Sequence, residues 1–200
     1  YTRNTIIQLW KEMLSKPTKY LQVWAKLFRR NIIVNNQVKF DDNLRLAEDS
    51  DFTLQYLKYC ESVELCHECI YDYSVDTAST MRAYDGQKVI DYAKAMELTK
   101  KKLTEELPET EEAYWQYVLT HFQVAMVNEV FSACNPKPLI DKITDMKRAS
   151  EIYIFHQAIL KTEGQRCSKT NQVLGALLRK KIYFVAAMIY EARAWQKKVK

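Results

Sequence analysis

Apolar residues recur at intervals of three and four along most of this chain, the spacing that lines one face of an α-helix. Ile6, Ile7, Trp10, Met13 and Leu14 form the first such stripe. They predict a helix from Thr5 to Leu14, stopped by Lys16-Pro17. A second helix is expected from Thr18, with Tyr20, Trp24, Leu27 and Phe28 on its apolar side. Asn35 to Ala47 carry no period and read as irregular. A third helix is expected from Glu48 to about Cys60. Glu48, Asp49 and Asp51 crowd its first turn, where the helix dipole favours negative charge.

The period then shortens. Val63 to Cys66 and Ile70 to Val75 read as two short strands joined by His67-Glu68-Cys69, and the second alternates residue by residue. From Asp85 the helical period returns. Val89, Ala93, Met96, Leu103 and Leu107 mark one helix, and Trp115, Val118, Phe122, Ala125 and Met126 mark the next. Asn135-Pro136-Lys137-Pro138 breaks the chain. One helix is expected from Leu139 to Leu160. A last one runs from Lys169 to Lys198, with Val173, Leu177, Leu178, Val185, Met188, Ile189 and Trp195 on its apolar side. The pattern predicts a mainly α chain with a small β hairpin (α+β), mixed over residues 1–84 and helical over residues 85–200.

Composition narrows the chemistry. With 48% hydrophobic and 28% charged residues, the 200-residue chain can bury a core. Its three glycines, Gly86, Gly164 and Gly175, are too scattered to build a phosphate-cradling loop. The net charge of +5 is uneven, because thirteen Lys/Arg face five Asp/Glu from Leu139 onward. Such a basic end suits an anionic membrane, a nucleic acid or an acidic partner, or is simply a solvated helix face. No nucleic-acid-binding motif accompanies it, so nucleic acid is not an expected partner. Five cysteines, an odd number, point to free thiols in a reducing, cytoplasmic setting. Ile182 to Tyr190, the longest uncharged stretch of the last helix, falls short of the ~20 residues that span a bilayer. A structural zinc site needs four ligands, usually two Cys pairs, and Cys66-His67-Glu68-Cys69 is the single C-x-x-C.

Four segments carry a more specific signal. They are Trp24-Ala25-Lys26-Leu27-Phe28-Arg29-Arg30, then Val38-Lys39-Phe40-Asp41-Asp42, then Ala47-Glu48-Asp49-Ser50-Asp51-Phe52, then Ile70-Tyr71-Asp72-Tyr73 followed by Ser79. In this order, from Val23 to Ser79, they resemble the second half of family 2 inverting glycosyltransferases of the GT-A type. The family shows a W-x-K-L-F-x-R segment, an F-x-E/D loop, an E-D pair at a helix start, a Y-x-Y strand and a loop containing Ser.

The resemblance implies that residues 1–84 are the C-terminal part of a GT-A α/β catalytic domain and that 85–200 form a helical C-terminal domain. It implies transfer, with inversion, from a nucleotide-sugar, typically UDP-linked, to a glycan or lipid-linked acceptor in polysaccharide synthesis. Asp49 then falls at the catalytic base, with Glu48, Trp24 and Lys26 shaping the acceptor side. The family strand continues Y-x-Y-R, whereas Ser74 follows Tyr73 here, which leaves Arg82 as the cation for the donor phosphates. The divalent cation of the family, Mg or Mn, is held by a D-x-D motif in an N-terminal half that these residues do not include. No metal ligands are expected here, and these residues alone are not expected to turn over substrate. The helical part would serve as a lid or acceptor platform, as a homodimer contact, or as a peripheral contact with the inner face of a membrane. Arg179, Lys180, Lys181, Lys197, Lys198 and Lys200 would then meet anionic headgroups.

A different class of function competes with this one. Glu48, Asp49 and Asp51 are also ordinary N-terminal helix acids, and Trp24 fits a core stripe. The chain would then be a non-catalytic helical module that binds a protein or membrane surface through its basic C-terminal helix. Geometry separates the two. Catalysis needs Asp49 reachable and lightly hydrogen-bonded, whereas the module expects it to be tied up as a helix cap.

Overall fold

The computed structural model describes residues 1–69, 71–72, 83–103, 107–165 and 167–199. Helices dominate them: α1 (Ile6–Ser15), α2 (Pro17–Tyr20), α3 (Arg30–Asn35), α4 (Glu48–Leu57), α5 (Lys88–Leu103), α6 (Glu111–Ala125), α7 (Leu139–Glu151), α8 (Tyr153–Lys161), α9 (Lys169–Arg179) and α10 (Tyr183–Val199). The centre is α6. Its residues from Ala113 to Leu119 are all buried, as are His121, Phe122, Gln123 and Ala125. A helix that is apolar on every side has to be covered on every side, and α1, α5, α8 and α9 pack around this one. Trp10 and Leu14 of α1 join Tyr114, Tyr117 and Phe122 of α6 in one apolar cluster, which therefore takes residues from both sides of position 84. No helix among the described residues is long and apolar enough to cross a membrane.

Among the described residues the expected hairpin is absent, and with it goes the α/β part of the expected fold. Among the described residues there is no strand and no sheet. Val63 pairs its backbone with Tyr1 instead: Tyr1 N–H donates to Val63 O at 2.8 Å, and Val63 N–H donates to Tyr1 O at 3.0 Å. Glu64 to Cys69 are exposed, so the segment has no apolar face to bury. A lone two-stranded hairpin is marginal in water without a third strand or a covering helix. Ile70 and Tyr73–Val75 of the second expected strand lie outside the described residues.

Three helix expectations also change. The second helix ends at Tyr20, and Trp24 to Phe28 follow as irregular backbone in which Ala25 turns left-handed (φ 56°). The helix expected over 139–160 is two, broken at Ile152, whose extended backbone (ψ 127°) separates α7 from α8. The last helix is also two. Its break is a Schellman turn: Ile182 N–H reaches Leu177 O at 2.9 Å and Lys181 N–H reaches Leu178 O at 3.0 Å, with Lys181 left-handed at φ 56°. As a result the buried row of α10 is Ala186, Ala187, Tyr190 and Ala194, while Val185, Met188 and Trp195 of the expected stripe are exposed.

Lys181 fills a position that favours glycine. A left-handed L-residue costs about 1–2 kcal/mol, and glycine returns part of that gain through its looser unfolded chain. Lys181→Gly is therefore expected to raise the melting temperature by about 2–4 °C, the shift that goes with roughly 1 kcal/mol at this size. A lowered melting temperature in a thermal scan would refute the strain.

His121 gives the fold a pH dependence. It is buried on α6 between the rings of Tyr92 and Tyr117. Its Nδ1 lies 2.9 Å from Tyr117 O, and a carbonyl can only accept, so Nδ1 carries the proton. Burial, against a smaller opposing effect of that hydrogen bond, pushes the imidazole from the ordinary 6.5 down to about 4. The unfolded chain takes up a proton below about pH 6.5 that the folded chain refuses until about pH 4. Stability is lost as pH falls through that window, by about 3 kcal/mol in all. In urea melts at pH 7 and pH 4.5, His121→Gln is expected to lose less stability between the two than the wild type. An identical loss would contradict this account.

Candidate functional site

The site begins with the entry to α4. Ala47 is left-handed (φ 61°) and turns the chain so that Glu48 and Asp49 open the helix. No side chain caps this end, so Asp49 is not spent as a cap. Asp49 is half-buried, and its Oδ2 accepts one hydrogen bond, from Val23 N–H at 3.3 Å. This bond joins the first turn of α4 to the loop that carries Trp24 and Lys26.

An aromatic cluster holds that loop in place. Phe28 meets Phe52 and Tyr56 edge-on, with ring centroids 5.4 Å and 4.8 Å apart. Phe40 stacks on Phe52 at 4.5 Å. Tyr56 Oη accepts from Arg29 N–H at 2.8 Å, and Thr53 Oγ1 donates to Leu21 O at 3.1 Å. Offset and edge contacts of this kind add about 0.5–1.5 kcal/mol per pair beyond simple burial. The loop is thus fastened to α4 on both sides of Trp24 and Lys26.

Lys26 is half-buried, and its Nζ donates to Gln22 O. Burial lowers its pKa, while the nearby Asp49 carboxylate opposes that shift. The ammonium thus feels the Asp49 carboxylate while one of its N–H groups is held by Gln22 O. Trp24 is 38% exposed and stacks on Tyr71, with centroids 5.5 Å apart and planes 21° apart. Tyr71 is itself half-exposed, so the pair forms an aromatic ledge next to the Val23–Asp49 contact. Glu48 turns inward. Burial raises its carboxyl above the ordinary range, its own backbone N–H works against this, and Asp49 adds to it. Its charge is felt by the buried Tyr92.

The structure therefore brings Asp49, Lys26 and Trp24 to one place and sets Glu48 on the inner side of the same turn. Arg82 lies outside the described residues. Asp51 serves the fold instead. It is buried and pairs with Lys102 of α5 at 2.8 Å, and Asp41 faces the same ammonium at 3.7 Å. Tyr71 and the Phe28–Phe52–Tyr56 cluster were not legible as site elements. The Y-x-Y motif pointed to Tyr71 only as a strand residue.

Among the described residues, no group of three or more His, Cys, Asp or Glu could hold a metal ion. Asp41 and Asp51 converge on a lysine instead, and Cys66 and Cys69 are exposed free thiols.

No family model matches the chain, and no solved structure matches it. Over 51 residues it is 37% identical to an uncharacterized glycosyltransferase, EpsJ, of Bacillus subtilis (strain 168). The match takes in 26% of this chain and 15% of the length of that relative.

Proposed function

We propose that this chain supplies the acceptor side of an inverting sugar transfer, with Asp49 as the base. The observation that carries the proposal is the state of Asp49: half-buried, at the start of α4, holding one long hydrogen bond and no capping duty. A carboxylate in that state can take a proton from an incoming hydroxyl. The acceptor oxygen forms its bond to the anomeric carbon as its proton passes to Asp49. On the opposite face the bond from that carbon to the donor phosphate breaks, and the nucleoside diphosphate leaves with the electron pair. One displacement inverts the centre.

The neighbours divide the remaining work. The Trp24–Tyr71 ledge offers an apolar face to the acceptor ring, as aromatic side chains do for sugars. Lys26 adds a positive charge near the Asp49 carboxylate. Glu48, whose carboxyl holds its proton more firmly, orients rather than accepts. The described carboxylates do not assemble a cation site, so no step is routed through one. Donor and cation binding fall to residues outside this chain, as the resemblance to family 2 enzymes implies. The full-length protein, supplied with nucleotide-sugars, is expected to release nucleoside diphosphate in proportion to added acceptor. Release that ignores every acceptor, or no release at all, would count against the proposal.

A further inference from the structure

A second concave surface lies away from Asp49. An open groove of about 1310 Å³ runs between the α1–α2 corner, α6, the start of α9 and the end of α10. That is larger than the ~300–1,000 Å³ typical of single small-molecule pockets, and it suits a short chain of linked units. Lys16, Lys19 and Arg193 line it, and among the described residues no Asp or Glu does. Lys16 also pairs with Glu12 at 3.1 Å, and Lys19 sits over the Tyr20 ring.

Two buried donors on the groove wall are unspent. Gln123 is 3% exposed; its Oε1 accepts from Tyr190 O–H at 2.5 Å, while its Nε2 has no hydrogen-bond partner among the described residues. Arg193 Nη1 is buried and equally without one. Leaving a buried donor unmade is costly, about 1–3 kcal/mol and more for a charged group, and both side chains line the groove, where a small turn of either would bring its donor to an accepting ligand. Trp195, 66% exposed, adds a large apolar face at the rim.

From this combination we infer that the groove binds an acidic oligosaccharide. The aromatic face packs against a sugar ring, the amide donor meets hydroxyls, and Arg193 with the two lysines meets carboxylate or phosphate substituents. A bare anion would leave Trp195 unused, and a neutral sugar would leave Lys19 and Arg193 without an anion. The inference does not rest on the role of Asp49, since it concerns binding and other residues.

Titration calorimetry at low salt tests it, with tetragalacturonate, maltotetraose and inorganic phosphate as probes. Tetragalacturonate is expected to bind best. Trp195→Ala is expected to weaken it about tenfold, in line with the loss of one aromatic contact. Lys19→Glu should weaken it at least about fivefold through charge reversal. Both changes are at exposed positions and leave the core intact, and Arg193→Met, which keeps the stem, should weaken binding at least as much as Lys19→Glu. Equal binding of maltotetraose would overturn the acidic part of the inference, and phosphate binding as tightly as tetragalacturonate would overturn the sugar part. Absence of tetragalacturonate binding at millimolar concentration, or affinity unchanged in all three variants, would overturn the whole.

Discussion

Truncating Glu129 to alanine lowers the unfolding free energy by about 3–5 kcal/mol, the usual result of leaving a buried charge without its partner. Glu129 lies in the π-helical stretch, Met126–Val130, that continues α6. It is 3% exposed on its side chain, and it faces the Lys88 ammonium, 1% exposed, at 3.3 Å. It also accepts Asp85 N–H at 3.3 Å and the Gly86 N–H. One carboxylate thus holds the cation at the start of α5 and the turn that leads into it. Arg45 secures the same turn from outside, bonding Asp85 at 2.9 Å and Asp91 at 2.8 Å. The exposed Arg45–Asp85 pair is worth about 0–1 kcal/mol, and the Arg45–Asp91 pair does not touch the Lys88 ammonium, so neither replaces Glu129. Lys88→Met should cost less than Glu129→Ala, because Glu129 keeps its two backbone donors. Urea denaturation of the two variants measures the order. A loss below about 1 kcal/mol for Glu129→Ala would show that the pair is not sealed from water.

The helical character of the chain was legible because most helices bury one clear stripe. α1 was readable to within a residue at each end, since Lys16-Pro17 ends its stripe, and α4 was readable at its start from the crowd of acids. What failed was punctuation. Left-handed turns usually announce themselves as glycine, but here Ala25, Gln37, Ala47 and Lys181 take those conformations. With three glycines in 200 residues, the breaks at Ala25 and Lys181 carried no local mark. Ile152 likewise breaks a helix with a residue that suits a helix interior sterically almost as well as leucine does. The hairpin failed for another reason. Alternation describes a strand only if a sheet receives it, and Val63 pairs with Tyr1 instead.

The site divides in the same way. Asp49, Trp24 and Lys26 were named from residue types in order. The Val23 N–H contact, the Tyr71 stack and the aromatic fastening of the loop are long-range packing, which no local pattern encodes. Trp24 is as readable as a core residue as it is as a site residue, and its exposure in an irregular loop takes it out of the core. The groove beside Trp195 was invisible in advance, because the break at Lys181 redirects α10 and sets which of its faces is buried.

Asp49→Asn in the full-length protein is the change with the largest expected effect on activity. Asparagine has the same shape, and its amide oxygen can still accept from Val23 N–H, so the α4 entry and the loop stay in place. What it loses is the ability to take a proton. General-base catalysis contributes about 10²–10⁴-fold, so acceptor-dependent transfer should fall by that factor, in kcat more than in KM. Two neighbours serve as controls. Glu48→Gln keeps an orienting side chain and should cost far less. Asp51→Asn should lower stability rather than rate, because it weakens the pair with Lys102. The transfer rate of Asp49→Asn at saturating donor and acceptor is the most direct measurement. A loss of at least about a hundredfold in a protein that melts like the wild type is the predicted result, and transfer within about tenfold of the wild type would contradict it.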